Sequence, residues 1–402
     1  MRILLVSDVY FPRVNGVSTA IETHRRGLAQ RGIDVTLIAP AYDDEPEQQG
    51  IIRLPGWKIP GDPEDRIVLP HTMRCAVREA AERADLIHIQ TPFSAHYAGI
   101  AAARARQIPV IATYHTLFEE YLHLYARHLP EAWLRAFARR ISRSQCNALD
   151  ATIVPSKAME KRLREYRIES PLHVLPTGIP LAQFAIGEKS AHRARFRSRY
   201  RIPPGQPVAL FVGRVAHEKN LRFLIDSLAH ARQTTPELLL VIAGEGPAQA
   251  DLQDYVTQRG QQDHVRFLGY LDREHELPDC YAAADLFAFA SVTETQGLVL
   301  LEAMAVGLPV VALAEMGTRD LLEKGRGAIV PRFEVADFGA ALAALVANPQ
   351  RRTELGAQAK ALARSWSDED LTDRLAELYR LEIAQKTETK PIWKAHSREK
   401  QA

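Results

Sequence analysis

Short runs of Val, Ile and Leu alternate with amphipathic stretches along most of the chain, and this rhythm is the strongest constraint on its fold. Strands covered by helices on both faces of a parallel sheet read as nearly unbroken apolar runs. RILLVS, DVTLIA, LIHIQ, VIATYH and ATIVPS are such runs in the first half, and PVALFVG, ELLLVIAG, VRFLGY, DLFAFAS and LPVVAL in the second. The pattern predicts an α/β protein with two doubly wound domains. At 402 residues the chain is long enough for both, because single cores stop growing near roughly 250–300 residues. Two such domains imply a cleft.

The join is expected where Pro176, Gly178, Pro180 and Gly187 interrupt the pattern. The first domain then takes residues 1–185 and the second residues 186–366. Ser367 suits the N-cap of a last helix over 367–385, with Leu371, Leu375, Leu378 and Tyr379 at helical spacing. From Lys386 to Ala402 the chain has too little apolar content to pack and is expected to be disordered.

With 46% hydrophobic and 25% charged residues, the composition is that of an ordinary globular protein. A net charge of +2 excludes wholesale nucleic-acid binding, so any anionic partner must be served locally. Cys75, Cys146 and Cys280 are odd in number and far apart, which indicates neither a disulfide framework nor a zinc site and fits a reducing cytoplasm. The apolar run near Met1 is too short for a signal peptide, and no stretch reaches membrane-span length.

Ligands of open α/β sheets bind beyond the carboxyl ends of the strands. After the first run, Asn15 and Gly16 stand where a loop gives way to a helix. A glycine there lets a phosphate approach unpaired N–H groups, although a plain strand-to-helix turn reads the same way. After PVALFVG, Arg214 and Lys219 share one loop. A planar fork and a point charge a few residues apart suit a diphosphate, and a solvated charged loop is the alternative. AGEGP adds a glycine turn at Gly244.

The stretch SVTETQGLVLLEAMAVGLPVV carries Glu294 and Glu302 through otherwise apolar sequence. Carboxylates are rarely buried without a partner. Glu294 falls on a loop and Glu302 on the second turn of a helix, so both can face one cleft and accept paired sugar hydroxyls. The N–H groups of Gln296, Gly297 and Leu298 would point at a phosphate. Alternatively, Glu294 caps that helix and Glu302 pairs with an arginine.

These segments, with NGVSTAIETHRRGLAQRGIDVTLIAP and GRVAHEKN, resemble the retaining glycosyltransferases of family 4, which have the GT-B fold. The resemblance runs from Met1 to about Arg380, and Glu294 and Glu302 match that family's E-x7-E motif. It implies that Gly16 contacts the donor phosphates, that Arg214 and Lys219 neutralise the diphosphate, and that Glu302 holds the ribose. It likewise implies that Glu294 lies beside the donor sugar, that His115 of TYHT lies near the reacting carbon, and that the last helix crosses back to the first domain. The donor is then a UDP- or GDP-linked hexose such as UDP-glucose, with no divalent metal and no other cofactor. The one D-x-D string, Asp368 to Asp370, opens the last helix, where acids complement its dipole.

Between Arg127 and Arg167 ten lysines and arginines face four acids. Leu129, Trp133, Phe137 and Ile141 recur at every fourth position, with Arg135, Arg139 and Arg140 around them. Such a helix either lies on an anionic bilayer or packs its stripe on the first domain's sheet. SDVYFPRVNGVST and TYHTLFEEYLHLY resemble the branch of family 4 that glycosylates diacylglycerol. The resemblance therefore implies a lipid acceptor, an α-glycosyl product, and a cytoplasmic enzyme peripheral on the inner face of the membrane. A lipopolysaccharide or exopolysaccharide intermediate, a soluble sugar, or a non-catalytic nucleotide-sugar binding role are the alternatives.

Overall fold

The computed structural model describes residues 1–43, 48–59, 62–117, 119, 129–323 and 325–388. All ten expected runs form strands. In the first sheet these are β1 (Arg2–Val6), β2 (Asp34–Pro40), β6 (Leu86–Ile89), β7 (Val110–Thr113) and β8 (Ala151–Val154). Two edge strands, β3 (Ile51–Leu54) and β9 (Leu172–Val174), complete the parallel order β3-β2-β1-β6-β7-β8-β9. The hairpin of β4 (Gly56–Ile59) and β5 (Asp62–Val68) stands apart from that sheet.

The second sheet contains β10 (Val208–Val212), β11 (Leu239–Ala243), β12 (Val265–Gly269), β13 (Leu286–Phe289), β14 (Val310–Ala312) and the short β15 (Ala328–Ile329). Its order is β12-β11-β10-β13-β14-β15, again parallel. Both orders reverse beside their first strand, which opens a crevice at the carboxyl ends of the central strands. One continuous core fills the second domain, whereas the first keeps separate cores on the two faces of its sheet.

The helix Asp368–Glu388 belongs to the first domain. The chain returns beside Ile179, whose N–H donates to the Trp366 carbonyl (3.0 Å) and whose carbonyl accepts from Asp368 N–H (3.1 Å). Leu371, Leu375 and Tyr379 then join the core of the first sheet. Tyr379 hydrogen-bonds His88 Nδ1 at 2.7 Å, inside that core. The helix is longer than expected: Lys386 lies within it and pairs with Asp150 at 2.5 Å. A cation near a helix carboxyl end also meets its dipole favourably, which lets this polar stretch continue the helix. The rest of the expected disordered tail, 389–402, lies outside the described residues.

Candidate functional site

A cleft of about 1330 Å³ separates the carboxyl edges of the two sheets. Gly16 and His115 line it from the first domain. Arg214, Lys219, Gly244, Glu294, Gln296, Gly297, Leu298 and Glu302 line it from the second. Each of these was expected at the site from sequence, and the structure brings them together in one place. What each does there is more varied than the sequence implied.

Lys219 ends a short turn after β10, and its Nζ donates to Glu294 Oε1 at 2.5 Å. Both side chains are largely shielded, so the pair is stronger than an exposed one. A diphosphate sugar that engaged both would lie astride the pair, phosphate to the ammonium and sugar hydroxyls to the carboxylate. Glu302 is only 1% exposed. Arg273 Nη2 donates to its Oε1 at 2.5 Å and the Tyr281 hydroxyl to its Oε2 at 2.8 Å. Burial pulls the Arg273 guanidinium down, but the charge and hydrogen bond of Glu302 leave it raised overall. The pairing of Glu302 with an arginine, open in the sequence, is thus realised. Each oxygen keeps a further lone pair, so the carboxylate can still accept from hydroxyls in the cleft.

Gln296 departs furthest from expectation. Its buried side-chain amide accepts from Thr177 N–H (2.9 Å) and donates to the Thr177 carbonyl (2.7 Å), which lies where the chain leaves the first domain. Beside it the Thr295 hydroxyl donates to the His115 carbonyl at 2.9 Å. The loop that carries Glu294 is therefore bolted to the opposite domain. Gly297 caps the helix Leu298–Ala305, which starts at the cleft wall.

The two expected glycines differ in what they require. No protein atom lies within 4 Å of a Cβ placed on Gly16, so nothing in the fold itself demands glycine there, and a ligand can approach. Asn15 caps its helix by accepting from Ser18 N–H at 2.8 Å. A Cβ on Gly244, at φ +135°, would lie 2.0 Å from the Gly213 carbonyl oxygen. Packing of neighbouring loops alone makes Gly244 obligatory.

His115 hydrogen-bonds Gln90 Oε1 at 2.9 Å, and burial with the nearby His24 pushes its pKa down to about 3. The ring is neutral under physiological conditions. Asp8, which the sequence reading passed over, also lines the cleft at the end of β1. Burial pushes its pKa up to about 6 against hydrogen bonds from the Thr91 hydroxyl (2.7 Å) and Ala95 N–H (3.2 Å). Its place just after a strand was the one available signal. Arg273, in a loop between β12 and the next helix, gave none.

Residues 14–183 match the model of Glycosyltransferase Family 4, and residues 192–362 that of Glycosyl transferases group 1. The alpha-monoglucosyldiacylglycerol synthase of Streptococcus pneumoniae is 34% identical over 353 residues, 87% of this chain and 79% of that one. The chain belongs to glycosyltransferase family 4. The Acholeplasma laidlawii protein of the same name is 28% identical over 337 residues, 82% of this chain and 84% of its own. Sucrose-phosphate synthase from Thermosynechococcus elongatus superposes with a TM-score of 0.77 at 23% identity, over 96% of this glycosyltransferase and 99% of that chain. Anabaena Alr3699/HepE in complex with UDP and glucose gives 0.76 at 20% identity, over 94% and 99%. The fold of this glycosyltransferase is GT-B.

On the first domain, the helix Glu131–Cys146 buries Leu134, Ala138, Ser142 and Cys146. Trp133 is 74% exposed and Phe137 58%, with Leu129 also exposed just before the helix. The stripe therefore does not pack on the sheet. The buried face is a different one, because Leu134 and Ala138 sit one position beyond Trp133 and Phe137. Trp133, Arg135, Arg139 and Arg140 lie outside the cleft lining. The arginines are not equivalent. Arg139 Nε donates to the buried Glu119 at 2.9 Å, Arg135 lies 3.5 Å from the same carboxylate, and Tyr166 donates to it too. Arg140 is exposed on the helix surface.

Proposed function

We propose that this glycosyltransferase moves a hexose from a nucleoside-diphosphate sugar, UDP- or GDP-linked, to the hydroxyl of a diacylglycerol or related lipid. The transfer retains the anomeric configuration and needs no metal ion. The carrying observation is the cleft itself, where Arg214 and the Lys219–Glu294 pair line one domain's side and His115 the other's. The names of the two synthases support the lipid acceptor, and so does the exposed stripe of Trp133 and Phe137.

Departure of the nucleoside diphosphate builds negative charge on its leaving oxygen. Arg214, Lys219 and the N–H groups that open the helix at Leu298 supply preorganised positive charge for it. A metal would otherwise serve that need. Glu294, acceptor-only when ionised, orients the sugar hydroxyls. The departing phosphate oxygen takes the acceptor's proton while the new bond forms on the same face, which preserves the configuration. Neutral His115 donates or accepts a hydrogen bond without adding a charge near the reacting carbon.

Among the described residues no helix is long and apolar enough to cross a membrane. The enzyme on this reading sits peripherally on the cytoplasmic face, where its acceptor domain meets an anionic bilayer. Incubation with UDP- and GDP-hexoses and diacylglycerol vesicles, with and without EDTA, tests the proposal. The expected product is an α-hexosyl lipid by mass spectrometry and NMR, in equal yield with the chelator. Donor hydrolysis alone, or transfer only to soluble sugars, would overturn it.

A further inference from the structure

Glu294, Thr295 and Gln296 are consecutive in the loop after β13, yet their side chains serve different partners. The Glu294 carboxylate meets Lys219 of its own domain at 2.5 Å. Thr295 and Gln296 turn their polar groups to the backbone of the first domain, the hydroxyl to the His115 carbonyl (2.9 Å) and the amide to the N–H and carbonyl of Thr177 (2.9 and 2.7 Å). A donor and an acceptor on one residue leave the amide a single orientation that satisfies both. Gln296 is 6% exposed and Thr177 4%, so these bonds are sheltered from competing water.

A second segment of the same domain backs this loop. Gly317 N–H donates to the Glu294 carbonyl at 2.8 Å, and a Cβ on Gly317 would lie 2.0 Å from the Thr295 carbonyl oxygen. The two backbones are in direct contact, which only glycine permits. Met316, at φ +49°, packs against the first-domain cluster that includes Leu117, Met159 and Leu163. A non-glycine residue in that region is costly and persists where its surroundings fix it. Asp320 Oδ2 accepts from Lys157 N–H at 2.5 Å, at the start of the helix Lys157–Glu165, where a carboxylate also meets the helix dipole. The Glu294 loop is thus tied to the first domain directly at His115 and Thr177 and, through Gly317 and its neighbours, at Lys157 and the cluster around Leu163.

We infer that Thr295 and Gln296 are positioning residues: their bonds to first-domain backbone set where the Glu294 carboxylate stands relative to His115, and so align the donor sugar for transfer. The inference rests on the donor placement proposed above and adds what holds Glu294 in register. Neither side chain has to touch the donor. Without them the Glu294 carboxylate keeps only Lys219, whose flexible stem fixes no direction. Misplacing an orienting group by about 1 Å costs about 10²-fold in rate. A free nucleoside diphosphate carries no sugar for Glu294 to orient, so its affinity should be indifferent to the clasp.

The test sets kcat, per molecule able to bind nucleotide, against the affinity for free UDP or GDP, whichever the wild type binds. Gln296→Leu and Thr295→Val remove the bonds with little change in volume. Each is expected to lower kcat about tenfold or more while nucleotide affinity stays within about twofold of wild type. Wild-type kcat in both would overturn the inference, and so would a joint loss of kcat and nucleotide affinity, which would place Gln296 among the nucleotide contacts. Should Gln296→Leu fail to fold, Gln296→Glu decides. Its protonated carboxyl reproduces both bonds of the amide, whereas its carboxylate keeps only the one from Thr177 N–H. Burial raises such a carboxyl, so the ratio of its kcat to that of the wild type should fall between about pH 5 and pH 8, and a ratio that does not change with pH would overturn the positioning role. Donor hydrolysis reads the same kcat, so a wild type that consumes donor without making glycolipid overturns the lipid-acceptor reading alone. A wild type that binds neither nucleotide overturns both.

Discussion

The two walls of the cleft handle charge in opposite ways. On the donor wall, opposite charges are set side by side and held within the site, as in Lys219 with Glu294 and Arg273 with Glu302. On the first domain, Arg135 and Arg139 of the basic helix turn elsewhere, to Glu119, and leave an aromatic stripe outside. A diphosphate needs fixed positive charge that does not have to reorganise during reaction, and shielded pairs provide it. The contrast between the charged wall and the exposed aromatic stripe matches the charged donor and the lipid acceptor of the proposed reaction.

The largest effect expected from breaking this arrangement is at Glu302. Glu302→Ala strands the Arg273 guanidinium and leaves the Tyr281 hydroxyl only the more distant Val299 carbonyl at 3.4 Å. Losing one member of a buried pair costs about 3–5 kcal/mol, so denaturant unfolding should show a marked loss of stability as well as weaker donor binding. A ribose contact alone would lower donor affinity with stability unchanged. Calorimetry on the folded variant separates the two.

At Lys219 the effect should fall on turnover. Lys219→Ala removes a preorganised charge opposite the leaving group and is expected to lower kcat by about 10²–10³-fold. Steady-state rates within a few-fold of wild type would show that the diphosphate lies elsewhere on the donor wall.

Asp8 offers a comparable test on the first domain's wall. Its carboxyl titrates at about 6 in the fold against 3.8 as a free group. Folding therefore takes up a proton between those values. The contribution of Asp8 to stability is fully present below about pH 4 and is lost as pH rises through 6. The span corresponds to about 3 kcal/mol. In Asp8→Asn the difference in unfolding free energy between pH 4 and 7 should shrink by up to that amount relative to wild type. An identical pH profile would show that Asp8 is solvated in the cleft.

How far these walls were legible in the sequence follows from the range of the interactions that build them. The ten central strands announced themselves because each is a run of apolar residues. β9 and β15 span three and two residues, too few for any period to register. Glu294 and Glu302 stood out as carboxylates in an apolar stretch. Their partners did not. Arg273 is 29 positions from Glu302 and Thr177 is 119 from Gln296, and no local pattern joins such pairs. For Gln296 the sequence pointed only to its backbone N–H at a phosphate, while its side chain clasps the other domain. On the basic helix the spacing singled out the stripe through Trp133, whereas the buried face runs through Leu134. Only the surrounding domain decides which is buried.

The smallest expected effect sharpens the comparison most, because it separates cations that look alike in the sequence. Arg139 is held by Glu119 and its guanidinium lies over the Tyr166 ring, so its charge is largely neutralised within the domain. Arg140 is exposed one residue later. A basic residue near an anionic surface contributes about 1 kcal/mol to binding, or roughly fivefold in the vesicle partition coefficient. Arg140→Gln should produce that loss at low salt with an unchanged melting temperature. Arg139→Gln should do the reverse, lowering the melting temperature by uncovering Glu119 while moving the partition coefficient less. Cosedimentation with vesicles containing an anionic lipid, at two salt concentrations, reads the first effect, and thermal melts read the second. If both variants lost vesicle binding equally, Glu119 would not be holding Arg139 in solution, and the first domain would present its cations to the bilayer as a single undivided patch.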